Sequence, residues 1–193
     1  MPGTCWRRSP WSTSSASTAP ARRALGFRTV FNLLGPLANP AGVKRIVVGV
    51  PRESLAPVFA DALSRLGAVR ALAVAGAGGV DEISPDGYTF VSSLKDGAVR
   101  TSLLDAGAEY GARYSLAQIA GGDAAHNARI LLSVLRGEDR GAYRAAACEN
   151  AAAAILAAGR AATYAEALAA AAESIDSGRA LRKLEKAIEC SKS

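Results

Sequence analysis

Asp81 and Glu82 are adjacent acids that follow a run of glycines, Gly76, Gly78 and Gly79, in the segment AGAGGVDEIS (75–84). Neighbouring carboxylates offer hard oxygen ligands to Mg2+, a cation that keeps several waters and bridges to phosphates. Glycines let the backbone come close to an anion. The spacing is not a dinucleotide fingerprint, because GxGxxG needs glycine where Asp81 stands, and no GxxxxGK phosphate loop occurs. The competing reading is a plain surface turn.

A second candidate is the turn NLLGPLANP (32–40), with Gly35, Pro36, Asn39 and Pro40, preceded by Arg22, Arg23 and Arg28. Guanidinium groups clamp a carboxylate or phosphate bidentately; the bland alternative is a rigid connection between solvated charges. His126 is the only histidine, which excludes a triad needing a second imidazole and any multi-histidine metal site. Its segment, DAAHNARILLSVL, places it in the first turn of a helix, as a surface or capping residue. Cys5, Cys148 and Cys190 are far apart and form no CxxC pair, so they suggest neither a disulfide framework nor a zinc site, and fit a reducing cytoplasm.

The elements that must position these residues alternate between periods of two and of 3.6, as expected of an α/β fold. KRIVVGV (44–50) predicts a strand closed by Pro51. In 53–68, Leu55, Val58, Phe59, Leu63 and Leu66 fall on one helical stripe ending near Gly67. RALAVAG (70–76) predicts a second, buried strand that feeds the glycine loop, and ligands bind at the carboxyl ends of strands in open α/β sheets. GYTFVSSL (87–94) and GAVRTSLL (97–104), joined by LysAspGly, predict a hairpin. Beyond Gly121 the pattern is helical: one helix from Asp123 to Arg136, a second from about Asp139 to Ala158, a third opened by the capping box of Thr163 and Glu166, and a last one capped by Ser177.

The 193 residues are 50% hydrophobic and 21% charged, the balance of a globular chain, and no apolar run approaches the roughly 20 residues of a membrane span. The net charge of +6 is uneven. Residues 1–52 hold eight Lys/Arg and no acid, leaving 15 basic against 17 acidic side chains in the remainder. A body without basic excess, and with 6% aromatic residues, argues against nucleic acid as a partner. Residues 1–20, rich in Ser, Thr and Pro, differ in composition from the rest of the chain and predict an unfolded leader, either a misread start or a targeting segment.

Five blocks in order carry a resemblance: ARRALGFRTVFNLLGPLANPAG (21–42), GGVDEIS (78–84), GGDAAHNARILLSVLRG (121–137), ENAAAAILAAG (149–159) and IDSGRALRKLEKAI (175–188). Together they resemble the anthranilate phosphoribosyltransferase family. The resemblance implies the C-terminal part of a phosphoribosyltransferase-like α/β domain over 21–193, with sheet strands followed by a helical layer. It implies transfer of the ribose phosphate of phosphoribosyl pyrophosphate (PRPP) to the amino nitrogen of anthranilate in tryptophan biosynthesis. It further implies Mg2+ as cofactor, held at Asp81 and Glu82, contact of Arg22 with the anthranilate carboxylate, and no protein nucleophile. Members of the family are homodimers.

The family's GTGGD loop, AsnxxSer stretch and KHGNR segment do not occur in these residues, and Ala75 stands where the family often has histidine. The expectation is therefore a truncated enzyme, weak or inactive as it stands. The alternatives are a non-catalytic remnant that keeps the fold as an interaction module, and a pyrimidine nucleoside phosphorylase, which shares the fold.

Overall fold

A computed structural model describes residues 35–37, 39 and 41–192. Residues 1–20 and Arg22, Arg23 and Arg28 lie outside the described residues, so the leader and the arginine cluster are not located. The chain divides into two units, 43–184 and a second made of 1–42 with 185–193. In the second unit, Gly35–Leu37 forms a single 3-10 turn, and Asn39 Oδ1 accepts the Ala41 N–H at 3.0 Å.

The larger unit is built on a four-stranded sheet in the order β1 (Arg45–Gly49), β2 (Arg70–Gly76), β3 (Tyr88–Lys95), β4 (Ala98–Asp105). β1 and β2 are parallel and the other pairings antiparallel, so the sheet is mixed. Parallel strands need a crossover, and α1 (Ala56–Arg65), entered through a 3-10 turn at Glu53–Leu55, supplies it. β3 and β4 form the expected hairpin. Asp96 and Gly97 at its tip both take positive φ (51° and 77°), which fits the strand twist and is why an AspGly pair stands there.

The buried face of α1 differs from the expected stripe. Ala56, Phe59, Ala60 and Leu63 are buried, whereas Val58 and Leu66 are 59% and 61% exposed. Alanines at 56 and 60 let the helix axis approach the sheet closely, so the helix turns that side inward rather than the bulkier valine. β2 is buried on both faces. Leu72 and Val74 join Ile83, Val91, Ala106, Ala153 and Ala157 in one apolar cluster, and the alternate residues Ala71, Ala73 and Ala75 point to the side where α1 packs.

After the short α2 (Ala106–Tyr110) come α3 (Ala124–Leu135), α4 (Ala142–Ala157), α5 (Tyr164–Asp176) and α6 (Arg179–Lys192), the last belonging to the larger unit through Leu184. The Asp123 cap is present, its Oδ1 accepting the His126 N–H at 2.7 Å, and His126 is exposed in the first turn. The Thr163/Glu166 box is also formed: Thr163 Oγ1 accepts from Glu166 N–H, while Glu166 Oε2 accepts from Ala162 and Thr163. Ser177 does not cap α6; it closes α5, and Gly178 at φ 68° breaks the chain before α6 begins. α4 joins two cores. Ala153 and Ala157 face the sheet, and Cys148 and Ala152 meet Val134 of α3 and Ala167, Leu168, Ala171 and Ile175 of α5. Small residues on both sides of α4 make that double packing possible. Among the described residues, no helix is long and apolar enough to cross a membrane.

Candidate functional site

The loop after β2 doubles back at once, with Gly76 N–H donating to Val80 O at 2.8 Å. Gly78 and Gly79 both hold φ near +78°, a conformation that side chains disfavour. The loop then crosses the end of β1. A methyl group at Gly49 would overlap the Asp81 carbonyl, and one at Gly76 would meet Glu82 O at 2.5 Å. The glycines of the two parallel strands thus let the Asp81–Glu82 backbone lie against their carboxyl ends, where ligands bind in such sheets.

Beyond the two acids the loop is anchored from α4. The Asn150 amide makes a two-point clamp on Ile83: Oδ1 accepts the Ile83 N–H at 2.9 Å and Nδ2 donates to Ile83 O at 3.1 Å. Nδ2 also donates to Ala146 O, one turn back in α4, which fixes the amide on its own helix. Ser84, fully buried, donates its N–H to the Thr89 hydroxyl oxygen and its own hydroxyl to Ala77 O. Ile83 and Ser84 are therefore sunk into the protein while Asp81 and Glu82 stay exposed. Partial desolvation and then the neighbouring Asp81 charge push the Glu82 carboxyl above its usual range.

Glu82 also borders a cavity of about 310 Å3 between α3 and α4, walled by Ile119, Ile130, Leu131 and Tyr143 with Asn127 at its polar edge. The Asn127 side chain is occupied by the Gly122 backbone, accepting from its N–H at 2.8 Å and donating to its carbonyl at 3.1 Å. It serves the turn before α3.

Two neighbouring carboxylates, with the charge of Asp81 helping to raise the proton affinity of Glu82, suit a divalent cation, whose charge relieves their repulsion. Among the described residues, no group of three or more His, Cys, Asp or Glu gathers elsewhere as an alternative metal site. A pair of protein ligands leaves the rest of an Mg2+ shell to water and phosphate oxygens, the usual arrangement for that ion. Asp81 and Glu82 are legible in the sequence as candidate ligands, whereas the parts played by Gly49 and Asn150 emerge from the fold. Gly49 carries no signal of its own within an apolar strand. Asn150 does carry one, as a lone amide ahead of the alanine run AAAA (151–154).

The family model described as glycosyl transferase family, a/b domain, matches residues 9–181. The chain belongs to this family. Relatives within it include the anthranilate phosphoribosyltransferase of Pelotomaculum thermopropionicum, 48% identical over 177 residues, which is 91% of this chain and 51% of that protein. That of Caulobacter vibrioides is 49% identical over 162 residues, covering 84% and 47%. The solved anthranilate phosphoribosyltransferase from Thermus thermophilus superposes with a TM-score of 0.83 at 37% identity, covering 91% of this chain and 51% of the other. The Saccharomyces cerevisiae enzyme in complex with PRPP and Mg gives 0.80 at 32% identity, covering 90% and 50%. The chain spans about half the length of the relatives it matches.

Proposed function

We propose that this chain serves anthranilate phosphoribosyl transfer, with Asp81 and Glu82 holding the Mg2+ that accompanies PRPP and Arg22 orienting the anthranilate carboxylate. The observation that carries the reading is the acid pair laid against the carboxyl ends of two parallel strands by Gly49, Gly76 and the Asn150 clamp. Similarity to anthranilate phosphoribosyltransferases, one of them in complex with PRPP and Mg, supports the substrates and the ion. When bound, Mg2+ neutralises the charge that gathers on the pyrophosphate as its bond to C1 of the ribose breaks. Asp81 and Glu82 would fix where that charge is neutralised. Arg22, by gripping the carboxylate, would hold the amine toward C1, so that positioning and electrostatics do the work and no protein nucleophile is needed. The same reading places the chain in the cytoplasm, as a homodimer in common with the family.

The test joins this chain to the first half of a relative and follows anthranilate fluorescence with PRPP and Mg2+. Asp81→Asn with Glu82→Gln abolishes the Mg2+-dependent heat of PRPP binding in calorimetry; unchanged heats refute the metal role. Arg22→Ala raises the KM for anthranilate by tenfold or more and leaves that for PRPP within about twofold, since a charged hydrogen bond contributes about 1.5–3 kcal/mol. Equal effects on both substrates would remove Arg22 from the acceptor site.

A further inference from the structure

At the end of the sheet opposite the acid pair, three cations stand in register. Arg45 of β1 pairs with Arg70 of β2, and Arg70 pairs in turn with Lys95 of β3. All three have the parity of Val47, Leu72 and Val91, so they share the face covered by α4. Like charges directly opposite one another weaken a sheet, and a row of three asks for a compensating negative charge. α4 ends at Ala157, short of the row, and the space beyond its last turn is a pocket of about 570 Å3. Arg70, Lys95 and Arg160 line that pocket, with Ser93 and Leu156.

The carbonyl end of α4 accounts for one of these cations, as Arg45 donates to Ala158 O. A methyl group on Gly159 would meet the guanidinium nitrogens of Arg45 and Arg70 at 2.8 and 3.0 Å, so both forks converge on one glycine. Among the described residues, no carboxylate pairs with Arg70, Lys95 or Arg160. Glu166, the one acid lining the pocket, has its Oε2 committed to the N–H groups that open α5.

We infer that this pocket is a binding site for a small organic phosphate. The guanidiniums of Arg70 and Arg160 and the ammonium of Lys95, lining one pocket, offer donors that match the oxygens of a dianionic phosphate. Leu72, Leu156 and Ala157 offer an apolar wall for the organic body, and the volume lies in the range of small-ligand sites. β2 runs from Arg70 to Gly76, roughly 20 Å at the strand rise, which separates this pocket from the acid pair and from any Mg2+ held there.

Calorimetry on the full chain in EDTA, with phenyl phosphate as the probe and phenol as its neutral counterpart, tests the site. Saturable binding of phenyl phosphate, weakened by added salt and absent with phenol, is the expected result. Arg70→Gln with Lys95→Gln weakens it at least tenfold. Lys95→Gln alone, at an exposed strand end, weakens it at least threefold with the melting temperature unchanged. Asp81→Asn with Glu82→Gln leaves it as it was. Affinity within twofold of the parent after Lys95→Gln and after the double charge removal, equal binding of phenol, or loss of binding on removing the acids would each overturn the proposal.

Discussion

Asn150 performs a task that no residue inside the acidic loop can perform for itself. A loop whose glycines are free to flex holds two charged side chains in place only if its backbone is tied to something rigid, and α4 is that support. Asn150→Ala leaves the N–H and C=O of buried Ile83 without partners, at about 1–3 kcal/mol for each. The expected outcome is a lower midpoint in urea together with weaker Mg2+-dependent PRPP binding in the fusion that tests the proposed function, although both carboxylates remain. Asn150→Asp keeps the acceptor and loses the donor, so it falls between. Unchanged metal-dependent binding in the alanine variant would show that the loop holds its shape by other means. Gly49 is the matching constraint from below, where any side chain would displace Asp81.

At the scale of elements, local chemistry decides the turns and caps, and packing decides which faces turn inward. The Asp96–Gly97 turn, the Asp123 cap and the Thr163/Glu166 box are short-range devices, and all three form as their spacing predicts. Thr163→Ala removes the hydroxyl that accepts the Glu166 N–H, costing about 1 kcal/mol. That corresponds to a melting temperature lower by about 2–4 °C for a chain of this size, readable by calorimetric scan; no shift would mean that α5 is held by its buried face alone. The inward face of α1 departs from the apolar stripe for a physical reason. Hydrophobicity ranks Val58 above Ala60, but the sheet selects the side that allows close approach. Ser177 resembles a cap in sequence, yet helix α5 runs up to it, and the positive φ at Gly178 decides where the break falls.

At the scale of the whole molecule, one charge sits where charges are costly. Glu149, beside the clamp residue on α4, is fully buried, and neither carboxylate oxygen has a hydrogen-bond partner. Burial first, and then the Asp105 carboxylate that caps α2, push its pKa from 4.5 up to about 7. Tyr164, packed nearby, donates its hydroxyl to the Glu149 carbonyl, not to the carboxylate. A carboxyl with a raised folded-state pKa binds its proton more tightly when folded, so stability is greatest below the unfolded value and falls as pH rises from about 4.5 to about 7. At 1.36 kcal/mol per pKa step, the interval is worth about 3 kcal/mol. Glu149→Leu, measured by urea unfolding between pH 4 and pH 8, therefore flattens that decline and leaves the protein more stable at pH 8. A decline of undiminished slope in the variant would assign it to other groups.

Strand and helix order, the hairpin, two helix caps and the candidate acids Asp81 and Glu82 were all legible from the residues, because periodicity, turn chemistry and carboxylate pairing act over a few positions. The tertiary structure alone decided which face of α1 turns inward, that Gly49 and Asn150 seat the acidic loop, and that Arg45, Arg70 and Lys95 line up at the far end of the sheet. The seat of the loop and the row of cations join residues 25 to 67 positions apart, and the face of α1 depends on how that helix packs against β2. Such distances are set by how the layers pack, which no local pattern encodes.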